Sequence, residues 1–171
     1  MLVVLNRMKE RLESSKNDSD TAYFMDLMLA GEQLTKLVTL GILACITDDS
    51  KRHRYSQEHR LLRADGIGEW SSVIDEILAG PSSQYFNPLA NHFQQELNER
   101  LPAGSWQHKS IKLLIDCIKV IDSSFENIPV KVSGKTCFHI LHISGIKLKA
   151  MVHIALKCIQ TFARIFIIQL N

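Results

Sequence analysis

The densest set of residues able to meet a charged ligand is the run Lys51-Arg52-His53-Arg54-Tyr55-Ser56-Gln57-Glu58-His59-Arg60. On a helix, Arg52, Tyr55 and His59 share one side, and Arg54 pairs with Glu58 at i, i+4. Guanidinium groups hold phosphate oxygens, and an interleaved ring offers a face to a base. Arg52, Arg54, Tyr55 and His59 are therefore a candidate nucleic-acid contact, with a solvated helix face as the plainer reading of the same residues.

Other chemistry-bearing residues form weaker patterns. His139, His142 and His153 have neither the i, i+4 spacing of a helical metal pair nor a finger spacing, and no carboxylate follows them. Asp65-Gly66-Ile67-Gly68 holds a Gly-x-Gly ahead of a helix, without the preceding strand or third glycine of a phosphate cradle. A turn that aims Trp70 into the core accounts for it. Cys45, Cys117, Cys137 and Cys158 each sit in an apolar run with no Cys-x-x-Cys pair, which suits reduced, buried thiols in a cytoplasmic protein. No nucleophile elbow, Walker loop or His-Glu-x-x-His is present. No metal and no cofactor are expected.

These residues are carried by an all-α pattern, read as a single up-and-down bundle with a poorly specified C-terminal segment. Leu2, Leu5, Met8 and Leu12 mark a first helix over 1–15, and a polar break at 16–20 ends in capping residue types. A long helix over 21–46 turns Phe24, Leu27, Met28, Leu34, Leu37, Val38, Ile42 and Cys45 inward. A charged helix covers 51–63, and a short one covers 67–78 with Trp70, Ile74, Ile77 and Leu78 as its apolar face. Leu89, Phe93 and Leu97 predict one helix over 86–101. Ile111, Leu114, Ile115 and Ile118 predict another over 106–121, and 130–132 reads as extended. The expected core joins Leu34, Leu37, Val38, Trp70, Phe93, Leu114 and Ile118.

Charge divides the chain. Residues 1–126 hold all 18 acids against 14 basic residues, a balance of −4. Residues 127–171 hold Lys131, Lys135, Lys147, Lys149, Lys157 and Arg164, and no acid. From Phe138 to Leu170 the chain is apolar, but these cations interrupt it well short of the ~20 residues of a membrane span. No membrane partner is expected.

Three segments resemble those of bacterial HEPN-like helical domains, which often stand at the N-terminus of larger defence-type proteins. They are Leu29-Ala30-Gly31-Glu32-Gln33-Leu34-Thr35-Lys36-Leu37, the stretch from His59 to Trp70, and Ile128-Pro129-Val130-Lys131-Val132-Ser133-Gly134. The resemblance implies a HEPN-like bundle over 1–135, and a homodimer or another protein as partner. It also implies the family's metal-independent RNA cleavage, which uses an Arg and a His with four to six residues between them, near the start of the last main helix. There the His acts as base for a 2′-hydroxyl and the Arg as cation for the phosphate. This sequence departs from that pattern, because the corresponding stretch, 143–153, has no arginine. Arg54 and His59 match the spacing in a different helix.

The missing motif coincides with the charge break, which raises a change of reading frame between about Thr136 and Ser144. One set of codons for Ser144 to His153, read two bases on, gives Arg-Asn-Lys-Thr-Lys-Gly-His-Gly, an Arg-x5-His element. Residues 136–171 would then be an atypical basic and apolar tail that packs poorly. The leading expectation is a catalytically incomplete HEPN-like domain, a remnant or interaction module of a bacterial defence-type protein. The enzyme alternative is an RNA endonuclease using Arg54 and His59, with RNA as partner. A third is an unrelated helical protein-binding scaffold.

Overall fold

A computed structural model describes residues 2–47, 52–105, 107–109, 111–112, 115–116 and 132–143. The fold is all-α, and the described residues contain no strand, only two isolated antiparallel bridges. Helix α1 (Leu2–Asp18) buries Leu5, Met8, Leu12 and Ser15, a one-sided 3.6-residue pattern. Helix α2 (Asp20–Ala44) starts at Ser19, whose hydroxyl accepts the Ala22 N–H at 3.0 Å. This cap explains why the chain turns sharply enough to lay α1 against α2. Arg11 and Asp26 bridge the two helices, with Nε to Oδ1 at 2.8 Å.

Helix α2 is apolar around most of its circumference. Over 25 residues its length and mean hydropathy of 1.3 would allow it to cross a membrane, yet half of the apolar window is buried inside this fold. Leu27, Leu34, Val38 and Ile42 supply that burial. Thr35 and Thr39 are fully buried too, and their hydroxyls donate back to the carbonyls of Gly31 and Thr35 at 2.8 and 2.7 Å. Those bonds remove the cost of dry hydroxyls in a core.

Helix α3 (His53–Leu62) leads into α4 (Ile67–Ala79), the element around which the others gather. Val73, Ile74 and Ile77 of α4 are almost completely buried. Trp70 departs from expectation: it is half-buried and lies outside the core, with the Lys36 ammonium 5.6 Å from its ring centroid. Val73, one turn on, takes the place expected of it. Helix α4 ends at Gly80, where a Cβ would stand 2.7 Å from the Glu76 carbonyl oxygen.

The helix expected over 86–101 is broken. Pro81–Tyr85 and Pro88–Ala90 are short 3-10 turns, and α5 covers only Asn91–Asn98. Asn87 precedes a proline and takes an extended ψ of 124°, and Pro88 has no N–H to donate. Phe86 is thereby freed to bridge Ile46, and the Asn87 N–H donates to Cys45 O at 2.7 Å. Leu89, expected to face inward, is 85% exposed, whereas Leu97 is buried and Phe93 packs partly against the core.

Residues 107–109, 111–112 and 115–116 are helical, with Ile111 and Ile115 buried. The expected core positions Leu114 and Ile118 lie outside the described residues, as does the side chain of Phe24. Ser133 bridges Arg100, and the Leu101 N–H donates to Val132 O at 2.9 Å. Gly134 sits where a Cβ would come within 3.2 Å of Leu97 Cα, so this crossing favours glycine. Helix α6 (Thr136–Ile143) follows directly, and Lys135 reaches Asp75 of α4 at 3.3 Å.

Poor packing was expected from residue 136 onward. Instead Cys137, Phe138 and Ile140 are buried, Phe138 almost completely. The core therefore extends through the first turns of α6. Residues 144–171, which include the rest of the expected tail, lie outside the described residues.

Candidate nucleic-acid interface

Helix α3 presents its inner side, Gln57 with Leu61 and half-buried His53, to the body of the fold. The outer side therefore carries Tyr55, His59, Leu62 and the following Arg63. Tyr55 is 60% exposed and stacks against His59, with ring centroids 6.2 Å apart and planes 28° apart. This pairing matches the shared side read from the sequence. Arg54 donates from Nε to Glu58 Oε1 at 2.8 Å, the expected i, i+4 pair.

Arg52 is placed differently from the expectation. It stands just before α3 at φ 58°, the left-handed region, so its side chain does not lie on the helical side shared by Tyr55 and His59. Its carbonyl still accepts the Ser56 N–H at 2.9 Å, which fixes the helix start. A non-glycine residue in this conformation stores about 1–3 kcal/mol of strain that the surroundings must offset.

Two further arginines complete the surface, and the sequence pattern undervalued both. Arg60 is exposed and donates to Ser72 Oγ of α4 at 2.8 Å. Arg63 caps the helix end, its N–H bonded to the Arg60 carbonyl. The signal that would have found them is the i, i+3 spacing of Arg60 and Arg63 beyond the densest part of the run. Residues 52–63 thus hold four arginines and one acid. Arg52 precedes the helix and Arg63 follows it, while Arg54 and Arg60 are exposed on either border of the inner side.

The catalytic alternative does not gain from this arrangement. Arg54 and His59, with four residues between them, keep the spacing of the resembled Arg–His motif but stand on α3 rather than on the last main helix. Arg54 is engaged with Glu58, and His59 with the Tyr55 ring. Gly66-Ile67-Gly68, with Arg60 and Glu69, lines an open cleft at the start of α4. Glu69 occupies that helix start, accepting the Gly66 N–H at 3.2 Å, and supplies the negative charge the helix dipole favours.

Among the described residues, no three His, Cys, Asp or Glu side chains converge to hold a metal. His139 is exposed on α6; the His142 side chain and all of His153 lie outside the described residues. Cys45 is half-buried and Cys137 buried, while Cys117 and Cys158 lie outside the described residues. Burial pushes the Cys45 thiol up from its ordinary value, which disfavours the thiolate that nucleophilic chemistry requires.

Comparison with known proteins adds one similarity. The chain is 31% identical over 110 residues, 60% of its own length, to the type II restriction enzyme HindIII of Haemophilus influenzae. It spans 35% of that enzyme's length. No family model matches the chain, and no solved structure matches it.

Proposed function

We propose that this chain is a helical, non-cleaving part of a bacterial defence-type nuclease, and that the α3 surface holds the phosphate backbone of duplex DNA. The observation that carries this reading is the exposure of Arg52, Arg54, Arg60 and Arg63 along α3 and at its ends, beside the exposed Tyr55–His59 stack. Guanidinium groups spread over one helix match successive phosphates, and such contacts position a protein on a duplex without reading sequence. The partial similarity to a type II restriction enzyme is in keeping with the defence-type reading. The HEPN-like family and its description as a remnant rest on the sequence resemblance alone.

A binding role agrees with the chemistry of α3 better than a cleaving role does. Arg54 and His59 each already have a partner. Binding needs no converging pair, only cations that can reach outward, and Arg54 retains nearly half its side-chain exposure despite Glu58.

Fluorescence anisotropy with a labelled duplex of about two helical turns tests the proposal. The full chain should bind without sequence preference at low salt, and Arg60→Ala with Arg63→Ala should weaken it several-fold. Tighter binding to single-stranded RNA than to duplex DNA would move the reading toward an RNA partner. No binding to either would remove it.

A further inference from the structure

The outer side of α3 carries more than a phosphate contact needs. Tyr55, His59 and Leu62 stand at i, i+4 and i+7, within about 60° around the helix axis. All three are exposed, Leu62 at 86%. A single exposed leucine is ordinary. A phenol ring, an imidazole and an aliphatic side chain in one line, on a short helix with four arginines along it and at its ends, form a defined surface. Phosphates account for the arginines and leave this line without a ligand.

Charge decides what can lie on it. Residues 52–63 hold four arginines, and Glu58, their one acid, is engaged by Arg54. A partner drawn here is an anion, and it must also offer flat apolar faces to Tyr55, His59 and Leu62. A nucleotide strand whose bases stand outside the double helix combines both. In a closed duplex each base face is covered by its neighbours, and only edges reach the grooves. The Tyr55 and His59 rings, with centroids 6.2 Å and planes 28° apart, form a stacked pair that a free base can extend. From Tyr55 to Leu62 the helix rises about 10 Å, the length of about three stacked bases.

We infer that the Tyr55–His59–Leu62 line receives about three unpaired bases, so that α3 prefers DNA with a single-stranded extension beside its duplex over fully paired DNA. This rests on the reading of α3 as a contact for the DNA backbone, in which the arginines hold the phosphates while the line between them holds the bases.

Fluorescence anisotropy with three labelled ligands tests the preference: a blunt duplex, the same duplex with a thymidine tail, and the same duplex with an abasic tail of equal length. The two tails carry the same phosphates, so only the bases differ. The full chain should bind the thymidine tail about fivefold or more tightly than the abasic one, and the gain should level off at about three nucleotides. Tyr55→Ala should remove most of the gain, whereas Tyr55→Phe should keep it. Arg60→Ala with Arg63→Ala should weaken all three ligands by similar factors. Circular dichroism confirms that each variant is folded. On the unaltered chain, 5-iododeoxyuridine in the tail should photocrosslink within residues 55–62. Equal affinity for the two tails would overturn the proposal, as would a gain that survives Tyr55→Ala or crosslinks that all fall elsewhere. Blunt duplex held through the arginines with no gain from bases in the tail would remove the base contact alone. Failure to bind any of the three ligands would remove the backbone reading as well.

Discussion

The Arg54 guanidinium donates to Glu58 Oε1 at 2.8 Å, one turn along α3. Arg54 and His59 keep the spacing of the resembled motif but stand on α3 rather than on the last main helix, with Arg54 engaged by Glu58 and His59 by the Tyr55 ring. The purified chain is expected to leave single-stranded and structured RNA intact. Fragment analysis after long incubation checks this, and cleavage that vanished in both Arg54→Ala and His59→Ala would restore the enzyme reading.

Phe138 closes the core from α6, almost completely buried beside Cys137 and Ile140. Phe138→Ala should destabilise the fold by about 3–5 kcal/mol, the cost of a large cavity in a packed site. Trp70→Ala should cost less, because that ring is half-buried beneath a lysine rather than enclosed. Urea denaturation of both variants gives the comparison. Equal losses, or a negligible one at Phe138, would mean that α6 is not an integral part of the core.

Much of the fold was legible in the sequence because long helices repeat their pattern. Ser19 announced the start of α2, and Gly80-Pro81 the end of α4. Between 81 and 101 the periodicity of Leu89, Phe93 and Leu97 suggested one helix, but Asn87-Pro88 interrupts it and turns Leu89 outward. Trp70 misled for another reason: its size suggested the core, yet Val73 and Ile77 fill that side of α4. In the candidate site, the Arg54–Glu58 pair and the Tyr55–His59 stack were readable from i, i+4 spacing. The left-handed backbone at Arg52 was not, since it depends on how the chain enters α3. The bond from Arg60 to Ser72 was also hidden, being a tertiary contact between two helices.

Asp26 gives a pH dependence with a definite sign. The hydrogen bond from Arg11, with the charge behind it, holds the Asp26 carboxyl below its ordinary value despite an opposing contribution from burial. A lowered carboxyl contributes stability that is fully present above the unfolded value of about 3.9 and is lost as pH falls through the folded value. Asp26→Asn should therefore melt below wild type near neutrality, with the gap closing below about pH 4. A gap unchanged across that range would show that the side chain acts through packing instead.

The expected change of reading frame has a direct test in the gene. Phe138 and Ile140 are buried, so a change of frame, if the gene holds one, is expected after these residues. Codons 144–153 should then read, two bases on, as an arginine and a histidine with five residues between them, in a frame that stays open. A shifted frame that stops at once, or lacks that pair, would end the idea and leave residues 144–171 as native sequence.

The salt dependence of duplex binding tests the central claim most directly. Each phosphate contact releases counterions, so the logarithm of affinity falls linearly with the logarithm of salt, by a slope of about 0.9 per contact. Removing Arg52, Arg54, Arg60 and Arg63 one at a time should reduce that slope stepwise by up to about this amount. Lys9→Ala and Lys16→Ala on α1 should leave it unchanged. A slope insensitive to the four arginines, or equally sensitive to the α1 lysines, would contradict a DNA-backbone contact at α3.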